Sequence, residues 1–575
     1  MAELILALHA GANSSAAIGY AGRLQYCIQE ERLSGIKGHM GFPHGAIAAC
    51  LRHVGANPAD VAEVAYGSLS GSVEHCPPDE FRRRLRGFHG RTEAGRHSGS
   101  PAHDAVVTQA QVRAELARAG TTAPVFFHDH HTTHAATAYY GLRSEPDRPY
   151  LVLTCDGFGD GACATVSIWR SGEQEEVSRS DMRDSLGLLY FWVTHEYGFV
   201  PHSDEYKLMG MAPYADAHRA GEVADVFRRW LGVDRARLAL ARTEGYSIER
   251  EWPRVADALR GRRFDDVFGG LQAFTEALLA QWVSAAVDVT GIRDVLVAGG
   301  VFMNVKANQR IAALSEVESF AAFPSCGDES LPIGAFYLAS ARQVGHRRVE
   351  SMSDCYLGDD ITDQEATAAL AGTDYRKARP VDVSVAVAAL LADGQIVARA
   401  AGRMEFGARA LGNRSILADP ADADLPRVLN RLIKRRDFWM PFAPAVLASH
   451  QHRYLHNPRG RSSPNMTMTF GVRPEAVKHM IAAVHPADLT CRAQIVQDDA
   501  GCGLARILAR YREQSGAGVL LNTSLNLHGQ PIARTADDAL RVFAESGLEH
   551  LQLGPYLLSK RTAVARHQTT GGSTS

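Results

Sequence analysis

The chain has 575 residues, a formal net charge of −3 at pH 7, and contents of 46% hydrophobic and 22% charged residues. This length exceeds what one hydrophobic core supports, so we expect two or three domains. The near-neutral charge gives no electrostatic footprint for nucleic acid or an anionic membrane, which favours a small molecule as the partner.

Targeting and cysteine patterns point to a cytoplasmic protein. No stretch approaches the roughly 20 apolar residues that a membrane-spanning helix needs. The N-terminal residues lack the basic segment of a signal peptide. The nine cysteines form no C-x-x-C pair, which argues against a disulfide framework and against a thiolate zinc site. We therefore predict a cytoplasmic location, without membrane or nucleic-acid partners.

The first 70 residues predict the order β, β, α, β. The expected strands and helix occupy residues 3–10, 16–29 (broken at Gly22), 43–53 and 64–68. Residues 72–104 then combine Pro77-Pro78 with a run of four arginines at 82–86 and a stretch of Gly, Ser and His. This composition predicts a surface insertion whose arginines form a solvated basic face in preference to an anion site.

A second cycle of strands and helices begins near residue 124. We expect strands at 125–127, 150–155 and 295–298, a helix over 271–290, and a helix from Val301. The polar segment 345–354 predicts a linker, and a helix at 385–392 and a strand at 395–400 follow it. The low-complexity C-terminal residues are expected to be disordered. The pattern therefore predicts two α/β domains with a boundary near residue 350.

Two histidines have the spacing of metal ligands. If the segment after residue 127 starts a helix, His130 and His134 lie at i and i+4 on one face. Asp156 and Asp328 stand beside glycines in expected turns and could add carboxylate oxygens. Two imidazoles and two carboxylates suit iron, manganese or zinc. The alternative is a polar helix start whose histidines only cap and solvate it.

Two further patterns suit anionic ligands. Residues 298–304 (AGGVFMN) and 207–210 (KLMG) could cradle a nucleotide, because a glycine-rich turn between strand and helix presents backbone N–H groups to phosphate. Residues 402–415 place three arginines among small residues, and Lys434 and Arg492 follow. Arginines among glycines favour phosphate or carboxylate binding over surface ion pairs.

Several common enzyme classes lack their motifs. The sequence contains no GxxxxGK[ST] phosphate loop, GxSxG elbow or HExxH helix, and no GxGxxG after the first strand. The usual hydrolase and dehydrogenase assignments therefore lose their support.

Nine collinear segments, spread over about residues 4–563, resemble one family: the ATP-dependent O-carbamoyltransferases of antibiotic and nodulation-factor synthesis. The segments are QEER (29–32), HHTTHAATAYY (130–140), CDGFGD (155–160), YKLMGMAPY (206–214), AGGVFMN (298–304), FPSCGDESLPIGAF (323–336), GRMEFGARALGNRS (402–415), KRRDFWMPFAP (434–444) and LNTSLNLHGQPI (521–532).

The resemblance implies an α/β fold with two domains. The N-terminal domain, residues 1–345, is expected to be of the actin-like ATPase type and similar to the threonylcarbamoyl-transfer protein. The C-terminal domain, residues 355–565, is expected to be YrdC-like, as in the threonylcarbamoyl-adenylate-forming enzyme. Residues 566–575 are the predicted disordered tail.

The resemblance also implies the reaction. The C-terminal domain would bind carbamoyl phosphate and ATP with Mg²⁺ and form carbamoyl adenylate. The N-terminal domain would then use a divalent metal (Fe²⁺ first, with Mn²⁺ or Zn²⁺ as alternatives) to deliver the carbamoyl group to a hydroxyl of a small-molecule acceptor. An antibiotic or another secondary metabolite is the expected acceptor. Its identity and the oligomeric state stay open.

Residue roles follow from the matched motifs. The resemblance implies that the metal ligands are His130, His134, Asp156 and Asp328. It implies that the nucleotide-binding residues are Lys207, Gly210, Gly299, Gly300 and Asn304. It implies that the catalytic and substrate-binding residues for carbamoyl phosphate and its adenylate are Arg409, Arg414, Lys434 and Arg492, with Asn522 beside them.

Two positions depart from the family pattern. Family members often carry His-Asp after the first strand, where this chain has residues 11–15, GANSS. The base for the acceptor hydroxyl is then His9 or His39, or the metal alone activates the hydroxyl. The family's arginine before Pro-Phe-Ala-Pro is Met440 here, which removes one cation.

Two other functions remain as alternatives. A small-molecule kinase on the actin-like scaffold would produce ADP and would not need the cationic second domain. A nucleotide-binding regulator would have lost transfer chemistry. For a transferase, we expect residues 72–104 and the loop-like segment 172–206 to shape the acceptor pocket.

Overall fold

The computed structural model describes residues 3–69, 109–243, 245–501 and 503–560. Strands and helices alternate along both halves of the chain. The predicted insertion at 72–104 and the predicted tail at 566–575 lie outside the described residues.

The strands are β1 (Leu4–His9), β2 (Ser15–Tyr20), β3 (Arg23–Gln29), β4 (Val61–Tyr66), β5 (Val125–Phe127), β6 (Tyr150–Gly159), β7 (Ala162–Arg170), β8 (Glu173–Asp181), β9 (Leu231–Asp234), β10 (Ala239–Arg242), β11 (Asp294–Ala298), β12 (Ser319–Ala322), β13 (Arg376–Ala378), β14 (Val397–Ala400), β15 (Arg414–Ala418), β16 (Ala443–Leu447), β17 (Leu455–His456), β18 (Phe470–Val472), β19 (Thr490–Cys491), β20 (Gln494–Val496), β21 (Val519–Ser524), β22 (His550–Leu553) and β23 (Tyr556–Ser559). The helices are α1 (Glu31–Ser34), α2 (His44–Val54), α3 (Gln109–Arg118), α4 (His130–Leu142), α5 (Leu186–Glu196), α6 (Glu205–Met211), α7 (Ala217–Arg228), α8 (Ile248–Leu259), α9 (Phe264–Thr290), α10 (Val305–Ala313), α11 (Leu331–Val344), α12 (Asp363–Ala369), α13 (Val383–Ala392), α14 (Leu425–Leu429), α15 (Gln451–Tyr454), α16 (Val477–Met480), α17 (Gly503–Ser515) and α18 (Ala536–Glu545).

The N-terminal half, from β1 to α11, contains two five-stranded sheets with the same topology. The first sheet has the order β3-β2-β1-β4-β5, and the second has the order β8-β7-β6-β11-β12. In each sheet the neighbouring strands among the first three are antiparallel, and the last two strands are parallel to the central strand. This repeated topology is the arrangement expected of an actin-like ATPase, so the predicted fold class is confirmed.

Helices separate and cover these two sheets. Helix α9 begins at Phe264, earlier than the predicted residue 271, because Asp265 and Asp266 favour the N-terminal turn. Within it, Gly269 and Gly270 leave room for α7, since a Cβ at Gly270 would clash with Val223. The helix predicted from Val301 was placed too early: a short 3₁₀ turn spans 300–303, and α10 begins after it.

The C-terminal part is an eight-stranded mixed sheet with the order β13-β23-β22-β14-β15-β21-β16-β20. Helices α13 and α17 cover part of this sheet with one apolar cluster, and α12, α14 and α18 form another. The α/β class is therefore confirmed for this half as well.

Residues 451–491 extend from this sheet and pack on α10 of the N-terminal half. The amide nitrogen of Thr469 donates to the carbonyl oxygen of Val305 at 3.2 Å, and Asn308 Nδ2 donates to the carbonyl oxygen of Thr467 at 2.8 Å. Lys306 and Asp488 form an ion pair across the same contact. The small sheet β17–β19 lies within this segment.

One segment differs from the loop-like character predicted for it, and the predicted linker is tied to a helix. The polar segment 345–354 is held against α4, since Arg143 donates to the carbonyl oxygens of His346 and Val349 at 2.6 and 3.0 Å. Segment 172–206 contains β8, α5 and the start of α6, so its loop assignment was wrong. Its charged residues belong to a strand with an exposed face. Among the described helices, none is both long and apolar enough to cross a membrane.

Candidate metal centre and cationic cleft

The first turns of α4 place two histidines side by side. The Asp129 side chain caps the helix by accepting from the Thr132 amide at 2.9 Å. This start sets His130 and His134 one turn apart, with ring centroids separated by 4.7 Å. Both side chains are buried. Gly159 is required beside them, because a Cβ there would clash with the His130 ring.

Two carboxylates from other elements complete the cluster. Asp156 lies in β6, and Asp328 begins the 3₁₀ turn at 328–330. His134 Nε2 lies 3.0 Å from Asp156 Oδ2 and 3.5 Å from Asp328 Oδ1, and His130 Nε2 lies 3.7 Å from each of these oxygens. The four ligand atoms lie within 4.8 Å of one another. The fold thus brings together the four predicted metal-ligand candidates.

The electrostatics of the cluster fit a divalent cation. Burial opposes the charged form of His134, but hydrogen bonds to Asp156 and Asp328 outweigh it and raise its pKa to about 9. Burial also disfavours the charged Asp156, yet His130 and His134 hold the pKa of this carboxyl well below its usual range. Within the described part of the chain His130 Nε2 has no hydrogen-bond partner. Two imidazoles and two carboxylates are a donor set for Fe²⁺, Mn²⁺ or Zn²⁺.

The two histidines considered as bases lie in different places. His9 ends β1 beside the cluster, with Nε2 3.7 Å from Asp328 Oδ2. Burial lowers the pKa of His9 to about 4. His39 is half-buried in the loop after α1, where its Nδ1 is 3.0 Å from Ser34 Oγ.

The predicted nucleotide-binding residues fall into two groups. Gly299 and Gly300 follow β11 and lie against Cys155 and Asp156. Gly299 has φ +97°, and a Cβ there would clash with the Cys155 carbonyl. Asn304 caps α10 and exchanges hydrogen bonds of 2.9 Å with Gln272, so its amide is already used within the fold.

The second group, Lys207 and Gly210, lies on α6 against the C-terminal half. Lys207 Nζ lies 3.3 Å from Asp204 Oδ1 and 3.5 Å from Asp437 Oδ2. Gly210 accepts from His485 Nε2 at 2.7 Å through its carbonyl oxygen. A Cβ at Gly210 would stand 2.9 Å from Met440 Sδ. Met440 therefore packs directly against Gly210.

Arg409, Arg436 and Arg492 lie close enough for their charges to interact where the halves meet, and we call this region the cationic cleft. Burial and then Arg436 lower the pKa of Arg409 to about 10. Burial, followed by the charges of Arg409 and Arg436, lowers the pKa of Arg492 well below its ordinary value. All three side chains are partly accessible to solvent, so they line a recess and are not enclosed in the core. Arg492 Nε has no partner among the described residues. Uncompensated cations in a recess are suited to a strongly anionic ligand.

Lys434 lies next to this cleft. Its Nζ donates to Asn526 Oδ1 at 2.9 Å and to Ser524 Oγ at 3.2 Å. Burial, then Arg436 and Lys37, lowers the pKa of this lysine well below its ordinary value. Arg436 was not among the predicted site residues, although it lies in the KRR run at 434–436. Its position two residues after Lys434 was the available signal.

Arg414 and Asn522 form hydrogen bonds with the backbone near the loop that carries Arg409. Arg414 is fully buried and donates to the carbonyl oxygens of Gly402 and Asn413, each at 2.9 Å, with further bonds to three other carbonyls. Asn522 Nδ2 donates to the carbonyl oxygen of Ala410 at 3.1 Å and to Gln494 Oε1 at 2.8 Å. Both contacts fix the loop that carries Arg409.

The cleft adjoins the cluster of histidines and aspartates. Arg409 lines a small cavity with Cys326, Phe302 and Met303, the last two from the 3₁₀ turn after Gly299. The buried carboxyl of Glu329, the residue after Asp328, also interacts with the charge of Arg409. The two candidate sites therefore share the interface between the halves.

Comparisons with known proteins match most of the described residues in both halves of the chain. The family model "Carbamoyltransferase N-terminus" matches residues 6–337, and "Carbamoyltransferase C-terminus" matches residues 388–560. The nodulation protein NolNO of Sinorhizobium fredii is 29% identical over 560 residues, which cover 94% of this chain and 78% of the relative. The 3'-hydroxymethylcephem-O-carbamoyltransferase of Amycolatopsis lactamdurans is 29% identical over 45% of this chain and 47% of its own. Among solved structures, full-length HypF in the phosphate- and nucleotide-bound form is 12% identical with a TM-score of 0.32, over 59% of this chain and 55% of HypF.

Proposed function

The chain belongs to the carbamoyltransferase family, and from this we propose that it is an ATP- and metal-dependent O-carbamoyltransferase. Its proposed substrates are carbamoyl phosphate, ATP and a hydroxylated small molecule. The observation that carries the proposal is the group of Arg409, Arg436 and Arg492, in which Arg409 lies close to Cys326 and Glu329, the neighbours of Asp328 in the chain. A kinase would have no use for this cleft.

The activation half-reaction is assigned to the cationic cleft. Carbamoyl phosphate loses phosphate to water and gives carbamate. A carbamate oxygen then attacks the α-phosphorus of ATP, and pyrophosphate leaves with the electrons of the broken bond. Arg409, Arg436 and Arg492 would hold the anions, and Lys434, whose Nζ already donates to Ser524 and Asn526, would add its positive charge beside them. We leave Arg414 out of this anion-binding set, because its donors are used on carbonyl oxygens.

The transfer half-reaction is assigned to the N-terminal site. The acceptor hydroxyl oxygen attacks the carbamoyl carbon, AMP leaves, and the hydroxyl proton is released. Gly299 and Gly300, in the turn after β11 that packs against Cys155 and Asp156, are the residues we propose to lie beside the nucleotide. His130, His134, Asp156 and Asp328 would hold a divalent ion, which when bound supplies a Lewis acid to stabilise the departing phosphate.

The acceptor class is proposed from the relatives. Two of them are named as a nodulation protein and as a carbamoyltransferase of a hydroxymethylcephem. A small secondary metabolite with a free hydroxyl is therefore the acceptor we propose. Aminoglycosides, aminocoumarin sugars, ansamycins or other polyketides, and cephem hydroxymethyl compounds are the classes to test.

The decisive experiment follows a labelled carbamoyl group. The protein is incubated with ¹³C-carbamoyl phosphate, ATP, Mg²⁺, Fe²⁺ or Mn²⁺, and a panel of these acceptors, and products are identified by mass spectrometry. The proposal expects one labelled carbamate ester with AMP as co-product. Formation of ADP with a phosphorylated acceptor would instead establish the kinase. ATP that stays intact with every acceptor would favour the regulator.

A further inference from the structure

A separate recess lies within residues 448–473, where the chain leaves the C-terminal sheet and enters the segment that packs on α10. The recess has a volume of about 350 Å³. It is lined by none of the residues of the metal cluster or of the cationic cleft. Sites for small molecules in proteins have volumes from about 300 Å³ upwards, so this recess is large enough to hold one.

Hydrogen bonds within the segment fix the walls of the recess. Helix α15 leads directly into β17, which pairs with β18. Asn457 Nδ2 donates to Gln451 Oε1 and to the carbonyl oxygen of Arg461, each at 2.9 Å. The amide nitrogen of Arg473 donates to the carbonyl oxygen of Tyr454 at 2.9 Å. The backbone around the recess is therefore held in place by the chain itself.

The polar side chains of the recess are cations or neutral donors. His452, His456 and Arg473 line it, and of the described residues no Asp or Glu does. An imidazole keeps at least one N–H donor in either charge state, and a guanidinium group carries five. Among the described carboxylates only that of Glu475 comes within 4.0 Å of Arg473, and the two side chains are 43% and 69% exposed. Such an exposed pair contributes little, so the charge of Arg473 is available to a ligand.

One nitrogen of Arg473 is enclosed and has no partner. Its Nε is shielded from solvent and forms no hydrogen bond with any residue that the structure describes. Buried polar atoms of native proteins almost always have a partner, so this nitrogen indicates a bound molecule. Guanidinium groups bind phosphate and carboxylate oxygens. A phosphate group presents three strong acceptor oxygens, which matches a lining of one guanidinium group and two imidazoles better than the two oxygens of a carboxylate.

We propose that this recess is a second anion site, which binds the phosphate group of a small molecule through Arg473, His452 and His456. The volume leaves room for an organic part beside the phosphate, so a phosphate monoester of about the size of a nucleoside monophosphate is the class of ligand. The inference does not depend on carbamoyl transfer, because the recess shares no residue with the metal cluster or the cationic cleft.

The recess borders the contact between the two halves of the molecule. Gly460 lines it. The neighbouring residues Arg459 and Arg461 donate to the carbonyl oxygen of Ala312 in α10 at 3.2 and 2.8 Å. A ligand in the recess restricts the turn that carries both arginines, so we expect binding to reduce the mobility of residues 457–461.

The test measures phosphate binding in full-length variants. Inorganic phosphate and AMP are titrated calorimetrically into Arg409→Ala, in which the cationic cleft has lost one cation, and into the same protein with Arg473→Met or His456→Ala added. Added Arg453→Met is the matched control, because Arg453 is an exposed arginine of α15 that does not line the recess. Succinate tests for a carboxylate site. Circular dichroism verifies the fold, and His456→Ala provides the test if Arg473→Met does not fold.

We expect Arg409→Ala to bind at least one of the two phosphate probes. Its affinity should fall at least about tenfold with Arg473→Met or His456→Ala and stay unchanged with Arg453→Met. The bound probe should slow hydrogen exchange at residues 457–461.

Three results would overturn the inference: no binding of either phosphate probe, an affinity that neither recess substitution changes, or an equal fall with Arg453→Met, since the effect would then reflect net charge alone. Tighter binding of succinate than of both phosphate probes would overturn the assignment to phosphate. None of these measurements requires carbamoyl transfer, so they stand apart from the test of the proposed function.

Discussion

Arg32 donates from its guanidinium to the carbonyl oxygen of Gly407 at 2.8 Å, across the contact between the two halves of the molecule. Arg32 is buried and also pairs with Glu31 at 3.1 Å. Gly407 belongs to the loop that carries Arg409, and Ser325 packs against it. This single donor therefore ties the first sheet to the loop of the cationic cleft.

Loss of the hydrogen bond from Arg32 to Gly407 should destabilise the protein. Arg32→Leu leaves Glu31 and the Gly407 carbonyl without their buried donor, so we expect a loss of about 3 kcal/mol in the free energy of unfolding. Chemical denaturation of full-length protein measures this loss. Arg23→Leu is the control, because Arg23 forms an exposed ion pair with Glu350 and should change stability by less than about 0.5 kcal/mol. Equal effects of both substitutions would contradict the role given to Arg32.

The repelling arginines of the cationic cleft should lower the thermal stability of the free protein and increase its affinity for carbamoyl phosphate. Arg492→Met removes one of three mutually repelling guanidinium groups, so we expect an unchanged or higher thermal midpoint in the absence of ligand. Affinity for carbamoyl phosphate should fall roughly ten- to hundredfold, since a charge-assisted hydrogen bond contributes about 1.5–3 kcal/mol. Calorimetric titration measures the affinity, with the exposed Arg431→Met as control. A variant that unfolds earlier and binds normally would show a structural role instead.

Anion binding should take up a proton at Lys434. In the free protein the pKa of this lysine is held well below its ordinary value by burial and then by Arg436 and Lys37. A bound phosphate group favours the charged ammonium and raises this pKa, so the complex binds more protons than the free protein. Affinity for carbamoyl phosphate should therefore weaken as pH rises through the range between the free and bound pKa values.

Titration calorimetry in buffers of different ionisation enthalpy measures this proton uptake. Lys434→Met should abolish the uptake, and Arg431→Met should retain it. Proton release on binding, or the same uptake in Lys434→Met, would contradict the assignment.

The two half-reactions should separate by mutation. Asp328→Asn removes a carboxylate of the metal cluster and leaves the cationic cleft intact. We expect this variant to form AMP and pyrophosphate from carbamoyl phosphate at a near-normal rate, but to transfer the carbamoyl group at least about a hundredfold more slowly. Arg409→Ala should lose both activities. Assays of pyrophosphate and of the carbamate ester distinguish them, and equal loss of both by Asp328→Asn would argue against separate sites.

The grouping of the four candidate metal ligands was predictable because some of them carry local signals. The i, i+4 spacing of His130 and His134 is visible within one helix turn, and Asp156 directly follows the apolar run 150–155 of β6. His9 was harder to assign, because a histidine at the end of a buried strand has no spacing that indicates its partner. Only the folded sheet brings it to Asp328.

The sequence predicted that cationic residues form an anion site in the C-terminal half, but it did not predict which of these residues face the ligand. Glycines among arginines indicated an anion site, yet the sequence could not distinguish Arg409, which faces the recess, from Arg414, whose donors are used on backbone carbonyls. That distinction depends on which side of β15 and its preceding loop each side chain occupies. The packing of 451–491 on α10 has no local signal, because it is a contact between distant segments.

The most direct test of the proposed carbamoyltransferase function is an assay without the acceptor. Purified protein is incubated with ATP, carbamoyl phosphate and divalent metal, and AMP, pyrophosphate and carbamoyl adenylate are followed by mass spectrometry. We predict that the adenylate or AMP forms with pyrophosphate, and that Arg409→Ala and Lys434→Ala abolish it while Arg431→Met does not. ATP that stays intact or gives only ADP, here and with candidate acceptors present, would contradict the carbamoyltransferase assignment.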